Sequence, residues 1–107
     1  SKTPDHLHPL VPGQQFNGLT VISAPGHTPG HMIFYYDKIV FAGDLFRIQN
    51  GIPAVNPKIM NWDQPQSIRS IGLLSSLDIN WICPSHGQPS KMNDAIRSFI
   101  AGAEQGR

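Results

Sequence analysis

Three histidines and an aspartate stand at points of the sequence where their side chains could bind a metal ion. His27 and His31 lie in a turn rich in glycine and proline, and Asp44 and His86 each follow an apolar segment. Imidazole nitrogens and carboxylate oxygens are usual protein ligands of divalent metal ions. A stiff turn holds an imidazole in place, so little entropy is lost on binding. The pattern predicts a metal site at strand ends.

Each of these residues also has a purely structural interpretation. A histidine in a turn often only packs or hydrogen-bonds, and Asp44 could cap a turn. A carboxylate directly after a buried strand is costly to desolvate, however, unless a cation or a donor compensates its charge. His6 and His8 form another pair, but the prolines around them predict an irregular connector with ordinary linker histidines. The metal hypothesis rests on His27, Asp44 and His86.

The motifs around these residues resemble those of the metallo-β-lactamase-fold hydrolase superfamily, which includes hydroxyacylglutathione hydrolases and lactonases. Three segments match the family in type, order and approximate spacing: Pro25-Gly26-His27-Thr28-Pro29-Gly30-His31, Phe41-Ala42-Gly43-Asp44 and Ser85-His86-Gly87. The family's His-x-His-x-Asp-His motif, which supplies the other ligands, is absent. The resemblance, which runs from about Leu19 onward, implies that the chain corresponds to the C-terminal half of such a protein.

The resemblance also implies a role for each candidate residue. His27 would be a ligand of a first metal ion, Asp44 a ligand that bridges two ions, and His86 a ligand of the second. His31 would pack or hydrogen-bond rather than bind metal. The ions would be zinc, with iron or manganese as alternatives. A metal-bound hydroxide would attack the carbonyl of an ester, thioester, lactone or amide.

Half of the ligand set would leave each ion short of the roughly four donors that it usually has. We therefore expect the isolated chain to be catalytically inactive and to bind metal weakly or with the help of symmetry partners. Contacts to the small-molecule substrate would come from residues 45–62 and from the missing half. A second class of function stays open, namely a non-catalytic half-fold that serves assembly or interaction.

The fold implied by the resemblance is α/β (α+β): half of a four-layer αβ/βα sandwich, with a mostly antiparallel sheet covered by two helices. Residues 1–13 are predicted to be an irregular N-terminal connector, and residues 14–107 the C-terminal half of the domain. Half a sandwich leaves one sheet face without its partner layer. We expect an apolar face that the missing N-terminal half covers, or through which the chain self-associates.

Local patterns predict the elements that position the site. Apolar and β-branched residues predict strands over 14–16, 19–24, 31–36, 38–42 and 79–84. Residues 45–62 show no clear period and are predicted to be a long loop. A helix over 64–77 is expected to begin after Asp63, and Ser90 is expected to cap a last helix. The buried face of that last helix is predicted to consist of Met92, Ala95, Ile96, Phe99 and Ile100.

Composition argues against several classes of partner. Eight basic and seven acidic residues give a net charge of +1, and the basic residues are scattered. Nucleic-acid and membrane-surface binding therefore have no support. Cys83 is the one cysteine, which excludes a disulfide within one chain and fits a reducing compartment. No apolar run of about 18 residues and no signal-peptide pattern is seen, so we expect a cytoplasmic protein.

Overall fold

The structure is a computed structural model that describes residue 13 and residues 15–106. Its elements in chain order are β1 (Gln15–Phe16), β2 (Leu19–Ser23), β3 (Met32–Tyr36), β4 (Ile39–Gly43), β5 (Arg47–Gln49), β6 (Ile52–Ala54), α1 (Gln64–Gly72), β7 (Trp81–Pro84), β8 (Ser90–Lys91) and α2 (Asp94–Glu104). Except for Gly13, the predicted connector 1–13 lies outside the described residues. His6 and His8 belong to that part of the chain.

Within the described residues, six strands form a sheet in the order β1-β2-β3-β4-β7-β8. Neighbouring strands are antiparallel except β4 and β7, which are parallel. Asn17 and Gly18 join β1 to β2, and Asp37 and Lys38 join β3 to β4. All four have positive φ, as tight hairpin turns require. The mostly antiparallel sheet predicted from the sequence is confirmed.

The parallel pair of β4 and β7 decides which loops meet. Val40 pairs with Ile82, and Gly43 pairs with Pro84, so both strands end at the same edge of the sheet. The chain crosses from one strand to the other through α1, because parallel neighbours need a crossover connection. The segments that follow β4 and β7 are therefore neighbours in space.

Residues 45–62 are not the structureless loop that was predicted. They contain a hairpin of β5 and β6 and a 3₁₀ turn at Lys58–Met60. Asn50 and Gly51 form the turn of the hairpin, both with positive φ, and Ile48 in β5 is fully buried. Strands of three residues are too short to show a sequence period, which is why the pattern did not predict them.

Helix α1 begins as predicted but ends earlier. The Asp63 side chain accepts a hydrogen bond from the backbone N–H of Gln66 at 3.1 Å, which confirms the predicted cap. The helix ends at Gly72, where the chain tightens into a 3₁₀ segment at Leu73–Ser76, instead of continuing to residue 77. Neither helix in the described part of the chain is long and apolar enough to cross a membrane.

Contrary to the prediction, Ser90 does not cap the last helix. Ser90 lies in β8 and pairs with Ile82, so the sheet gains an edge strand that the pattern did not indicate. Asn93 caps α2 instead, because its side chain accepts a hydrogen bond from the backbone N–H of Ile96 at 2.8 Å. The buried residues of α2 are Ile96, Ile100 and Ala103.

The core lies between one face of the sheet and the two helices. Its largest fully buried side chains include Ile33, Val40, Phe46, Ile71, Ile82 and Ile96. Tyr35 packs against this core and donates a hydrogen bond from its hydroxyl to the Asp78 carbonyl oxygen at 2.6 Å. Burial of apolar surface on this side holds the sheet and the helices together.

The opposite face of the sheet has no helix against it among the described residues. We call it the open sheet face and define it by two paired rows, Phe34, Phe41 and Cys83, and Tyr36, Ile39 and Trp81. Tyr36 is 47% exposed, Phe41 41% and Trp81 40%. The chain thus has the exposed apolar face that half a sandwich would have.

Candidate functional site

Three loops meet at the edge of the sheet where β4 and β7 end, and each carries one predicted site residue. His27 lies in the turn between β2 and β3, Asp44 directly follows β4, and His86 follows β7. Nε2 of His86 lies 3.1 Å from Oδ1 of Asp44, and Nε2 of His27 lies 3.7 Å from Oδ2. The structure brings all three residues together, with one imidazole beside each carboxylate oxygen.

The three side chains of the site are exposed to solvent to different degrees. The side chain of His27 is 23% exposed, that of Asp44 35% and that of His86 57%. The buried Nδ1 of His27 has no hydrogen-bond partner among the described residues, whereas its Nε2 faces Asp44. The carboxylate and the two Nε2 atoms therefore form a polar cluster that water and small molecules can reach.

Helix α1 holds the turn that carries His27. The backbone N–H of Trp62 donates to the His27 carbonyl oxygen at 3.1 Å, and that of Asp63 donates to the Gly26 carbonyl oxygen at 2.9 Å. Asp63 is also the residue that caps α1. The glycine and proline turn is thus fastened to the helix N-terminus, and the position of His27 depends on that packing.

Close packing against β5 holds the loop that carries His86. Gly87 has a φ of +97°, and a Cβ atom built on it would lie 1.8 Å from the Ile48 carbonyl oxygen, so only glycine fits there. The backbone N–H of Gln88 donates to the same oxygen at 3.1 Å. The hairpin of β5 and β6, which sequence reasoning missed, therefore supports a residue of the site.

His31 joins the first two loops of the site. Its Nδ1 lies 3.1 Å from the Ala24 carbonyl oxygen, and its Nε2 accepts a hydrogen bond from the backbone N–H of Asp44 at 3.1 Å. Burial lowers the pKa of His31 below its ordinary value, which favours the neutral ring that these two contacts require. The predicted packing and hydrogen-bonding role of His31 is confirmed.

Asn56 is a residue of the site that sequence reasoning did not find. It is 2% exposed, and its Nδ2 donates a hydrogen bond to the Asp44 carbonyl oxygen at 2.7 Å. Its Oδ1 accepts a hydrogen bond from Nε of Arg47 at 3.1 Å. No local pattern marks Asn56, because it sits in an aperiodic segment and its role depends on a contact across the loop.

The donors present fit a divalent metal as part of a larger set. Two imidazole nitrogens and one carboxylate suit zinc, iron and manganese. The described residues contain no group of three or more His, Cys, Asp or Glu side chains that could by itself hold a metal ion. The metal-ligand roles that the sequence suggests for His27, Asp44 and His86 stay predictions.

Family comparison agrees with this arrangement. Residues 3–86 match the model of the metallo-beta-lactamase superfamily, and the matched span includes the three site residues. The chain belongs to the metallo-β-lactamase superfamily. The superfamily is metal-dependent, which agrees with the chemistry of the donor set.

Two proteins of Bacillus subtilis (strain 168) are similar to this superfamily member. The uncharacterized protein YobT is 28% identical over 91% of the chain, and the probable metallo-hydrolase YybB is 30% identical over 67% of it. The chain spans 46% of YobT and 34% of YybB. These 107 residues thus correspond to less than half of either relative.

Solved metallo-β-lactamase structures share the fold. TTHA1623, solved in a di-iron-bound form, is 30% identical with a TM-score of 0.64, over 85% of this chain and 46% of its own. The archaeal superfamily protein ST1585 from Sulfolobus tokodaii is 19% identical with a TM-score of 0.62, over 81% of this chain and 32% of its own. The predicted fold class is confirmed, and the partial coverage of both structures is consistent with a fragment.

Proposed function

We propose that this chain supplies one half of the active site of a metal-dependent hydrolase, with His27, Asp44 and His86 as its metal ligands. The observation that carries the proposal is the position of the Asp44 carboxylate between two imidazoles, with one Nε2 beside each oxygen. A carboxylate placed in this way can bridge two ions that lie about 3.5–4 Å apart in two-metal hydrolases. His27 would share one ion with Asp44, and His86 the other.

The metal is proposed to be zinc, with iron or manganese as alternatives that the same donors accept. The di-iron form of TTHA1623 supports a two-metal centre in a relative. A bound divalent ion activates water and polarises a carbonyl oxygen. The proposed substrates are accordingly small molecules with an ester, thioester, lactone or amide bond.

The residues of this chain would bind and orient in this reaction. The imidazoles of His27 and His86 would serve as neutral nitrogen ligands, and the Asp44 carboxylate would supply negative charge to balance the metal ions. The backbone N–H of Trp62 donates a hydrogen bond to the His27 carbonyl oxygen, and Trp62 is 57% exposed. Residues 45–62 are proposed to contribute contacts to the substrate.

The remaining ligands are proposed to come from an N-terminal half that packs on the open sheet face. Three ligands leave each ion below the roughly four donors that metal sites usually have. The open sheet face exposes Tyr36, Phe41 and Trp81 on the side away from the helices. A second apolar layer on this face would bury them, as in a packed sandwich.

A second candidate function is a non-catalytic half-fold that serves assembly, with a second copy of the chain on the open sheet face. The exposed aromatic residues of that face favour it. The two candidates differ in their dependence on Asp44, since an assembly module needs no carboxylate beside two imidazoles. For either candidate we propose a reducing, cytoplasmic compartment, which the free thiol of Cys83 supports.

Metal content and affinity test the proposal. Untagged chain is dialysed against Zn²⁺, Fe²⁺ or Mn²⁺, and bound metal per chain is measured by elemental analysis at known oligomeric state. We expect weak binding that His27→Ala, Asp44→Ala and His86→Ala each reduce at least tenfold. The control is the double variant His6→Ala/His8→Ala, which removes two histidines that are not among the proposed ligands and should keep the wild-type affinity.

Two results would contradict the proposal. One is metal binding that disappears in the His6→Ala/His8→Ala control but persists in the three site variants. The other is no detectable metal at millimolar concentration together with a stable dimer, which would favour the assembly module. Size-exclusion chromatography with light scattering on the same samples supplies the oligomeric state.

A further inference from the structure

The main chain of Asp44 is held by a side chain at each end. Its backbone N–H donates to Nε2 of His31 at 3.1 Å, and its carbonyl oxygen accepts from Nδ2 of Asn56 at 2.7 Å. His31 comes from the segment before β3, and Asn56 from the segment after β6. Two separate parts of the chain therefore bind the same residue from both sides.

Each of these two side chains is itself fixed. Because Nε2 of His31 accepts a hydrogen bond, the proton of the neutral ring is on Nδ1, which donates to the Ala24 carbonyl oxygen at 3.1 Å. Asn56 is 2% exposed, and its Oδ1 accepts from Nε of Arg47 at 3.1 Å. Both polar atoms of each side chain are thus engaged, so neither ring nor amide can turn without losing a bond.

Gly43 makes room for this contact. Its φ is +55°, and a Cβ atom built on it would lie 3.0 Å from Nε2 of His31. A side chain at this position would strain the turn and press on the imidazole that accepts the Asp44 N–H. The approach of His31 to the backbone therefore depends on a glycine before Asp44.

We propose that His31 and Asn56 are positioning residues that fix the backbone of Asp44 and so direct its carboxylate between His27 and His86. With both flanking peptide groups held, only the side-chain torsions of Asp44 remain to place its two oxygens. The inference rests on the proposed function, because it assumes that the Asp44 carboxylate binds metal. Preorganised ligands lose less entropy on binding, so the arrangement raises metal affinity.

The alternative is that the two side chains only stabilise the turn. In that case their loss lowers stability but leaves metal affinity as it is. The matched control is Asn93→Leu, because Asn93, like Asn56, uses both polar atoms of its amide in hydrogen bonds, in this case to the Ile96 N–H and the Gly51 carbonyl oxygen. Among the described residues, Asn93 makes no hydrogen bond or ion pair with Asp44, so its loss reports destabilisation without the loss of a contact to Asp44.

The experiment compares His31→Leu, Asn56→Leu and Asn93→Leu with the conservative variant His31→Gln. In metal-free protein, NMR measures hydrogen exchange of the Asp44 amide and the ¹⁵N shifts of the His31 ring. With Mn²⁺ as the probe, paramagnetic broadening of the His27 and His86 ring signals gives apparent affinities even when binding is weak. Thermal unfolding of each variant gives the accompanying loss of stability.

We expect His31→Leu to speed exchange of the Asp44 amide at least tenfold and to weaken Mn²⁺ binding three- to tenfold. Asn56→Leu should weaken Mn²⁺ binding similarly. His31→Gln, whose amide can donate and accept, should recover part of both losses. Asn93→Leu should lower the unfolding temperature and leave the Mn²⁺ affinity unchanged.

Two outcomes overturn the inference. The first is that His31→Leu and Asn56→Leu show the same amide exchange and the same Mn²⁺ affinity as Asn93→Leu. His31 and Asn56 would then have only a structural role. The second is a His31 ring with its proton on Nε2, since that tautomer cannot accept the Asp44 N–H. Failure of the proposed function gives a different result. Mn²⁺ then does not broaden the ring signals of His27 and His86 in wild-type protein, while exchange of the Asp44 amide still shows whether His31 and Asn56 fix the Asp44 backbone.

Discussion

Asp44 and His86 are neighbours because the strands that precede them run parallel. Nε2 of His86 lies 3.1 Å from Oδ1 of Asp44. Gly43 and Pro84, the last residues of β4 and β7, pair with each other, so the two strands end side by side. The Ser85 N–H donates to the Gly43 carbonyl oxygen at 2.8 Å, which extends the pairing one residue past the end of β7. This geometry links the topology of the sheet to the chemistry of the site.

Catalysis is expected to require the complementary half. The isolated chain should not hydrolyse thioesters or lactones above background in the presence of Zn²⁺, Fe²⁺ or Mn²⁺, because each ion lacks donors. Co-expression with the N-terminal part of a relative such as YybB should produce metal-dependent hydrolysis, measured as initial rates. Asp44→Ala should abolish that activity.

The control for this assay is Asp78→Ala. Asp78 is an exposed carboxylate that pairs with Lys38 at 3.3 Å on the surface, so its removal should leave the rate unchanged. Robust hydrolysis by a homogeneous sample of the chain alone would contradict the prediction.

A side chain at position 87 should unfold the loop that carries His86. In Gly87→Ala, the new Cβ meets the Ile48 carbonyl oxygen and the backbone is strained at positive φ, so we expect a loss of about 2 kcal/mol or more in the free energy of unfolding. Urea denaturation measures it. Gly30→Ala is the matched control, since nothing lies within 4 Å of its new Cβ. Equal stability of the two variants would count against the described packing.

Neighbouring residues of β3 should differ in their contribution to stability. Ile33 is fully buried against the helices, whereas Phe34 lies on the open sheet face and is only half-buried. Ile33→Ala should cost about 2–5 kcal/mol. Phe34→Ala should cost less in the monomer, although phenylalanine is the larger side chain. Urea denaturation at low protein concentration measures both losses in the free energy of unfolding. A larger loss for Phe34→Ala than for Ile33→Ala would mean that the open sheet face is already covered.

Association is expected to depend on the open sheet face. Phe41→Lys places a charge at the centre of that face and should weaken binding to a second copy or to a complementary half, at least tenfold in sedimentation measurements. The monomer should lose little stability, because Phe41 is already 41% exposed. Ile59→Lys is the control, since Ile59 is exposed outside the sheet. Equal effects of the two variants would contradict a role for this face.

Local interactions explain most of what could be predicted from the sequence. The Asn17-Gly18 turn and the cap of α1 by Asp63 each depend on residues within one turn of chain, so their sequence signals are sufficient. The cap of α2 was predicted at Ser90 instead of Asn93. Pairing of Ser90 with Ile82 in the sheet outweighed its tendency to cap.

Contacts between distant segments explain what could not be predicted. Asn56 binds the main chain of Asp44, and Gly87 packs on Ile48 in a strand of three residues. Neither contact leaves a periodic pattern, because each joins two segments at a single point. A sequence pattern could have indicated the turn at Asn50-Gly51, which has the same chemistry as Asn17-Gly18.

By itself, the sequence determined the superfamily, the strands β1 to β4 and β7, the start of α1 and the three candidate ligands, since each of these features depends on a contiguous segment. Only the tertiary structure decided that His27 and His86 face different oxygens of Asp44, and that His31 and Asn56 hold the Asp44 backbone from two sides. The physical reason is that these distances depend on strand order and register. Strand order and register result from the packing of the whole sheet and are not encoded in any one segment.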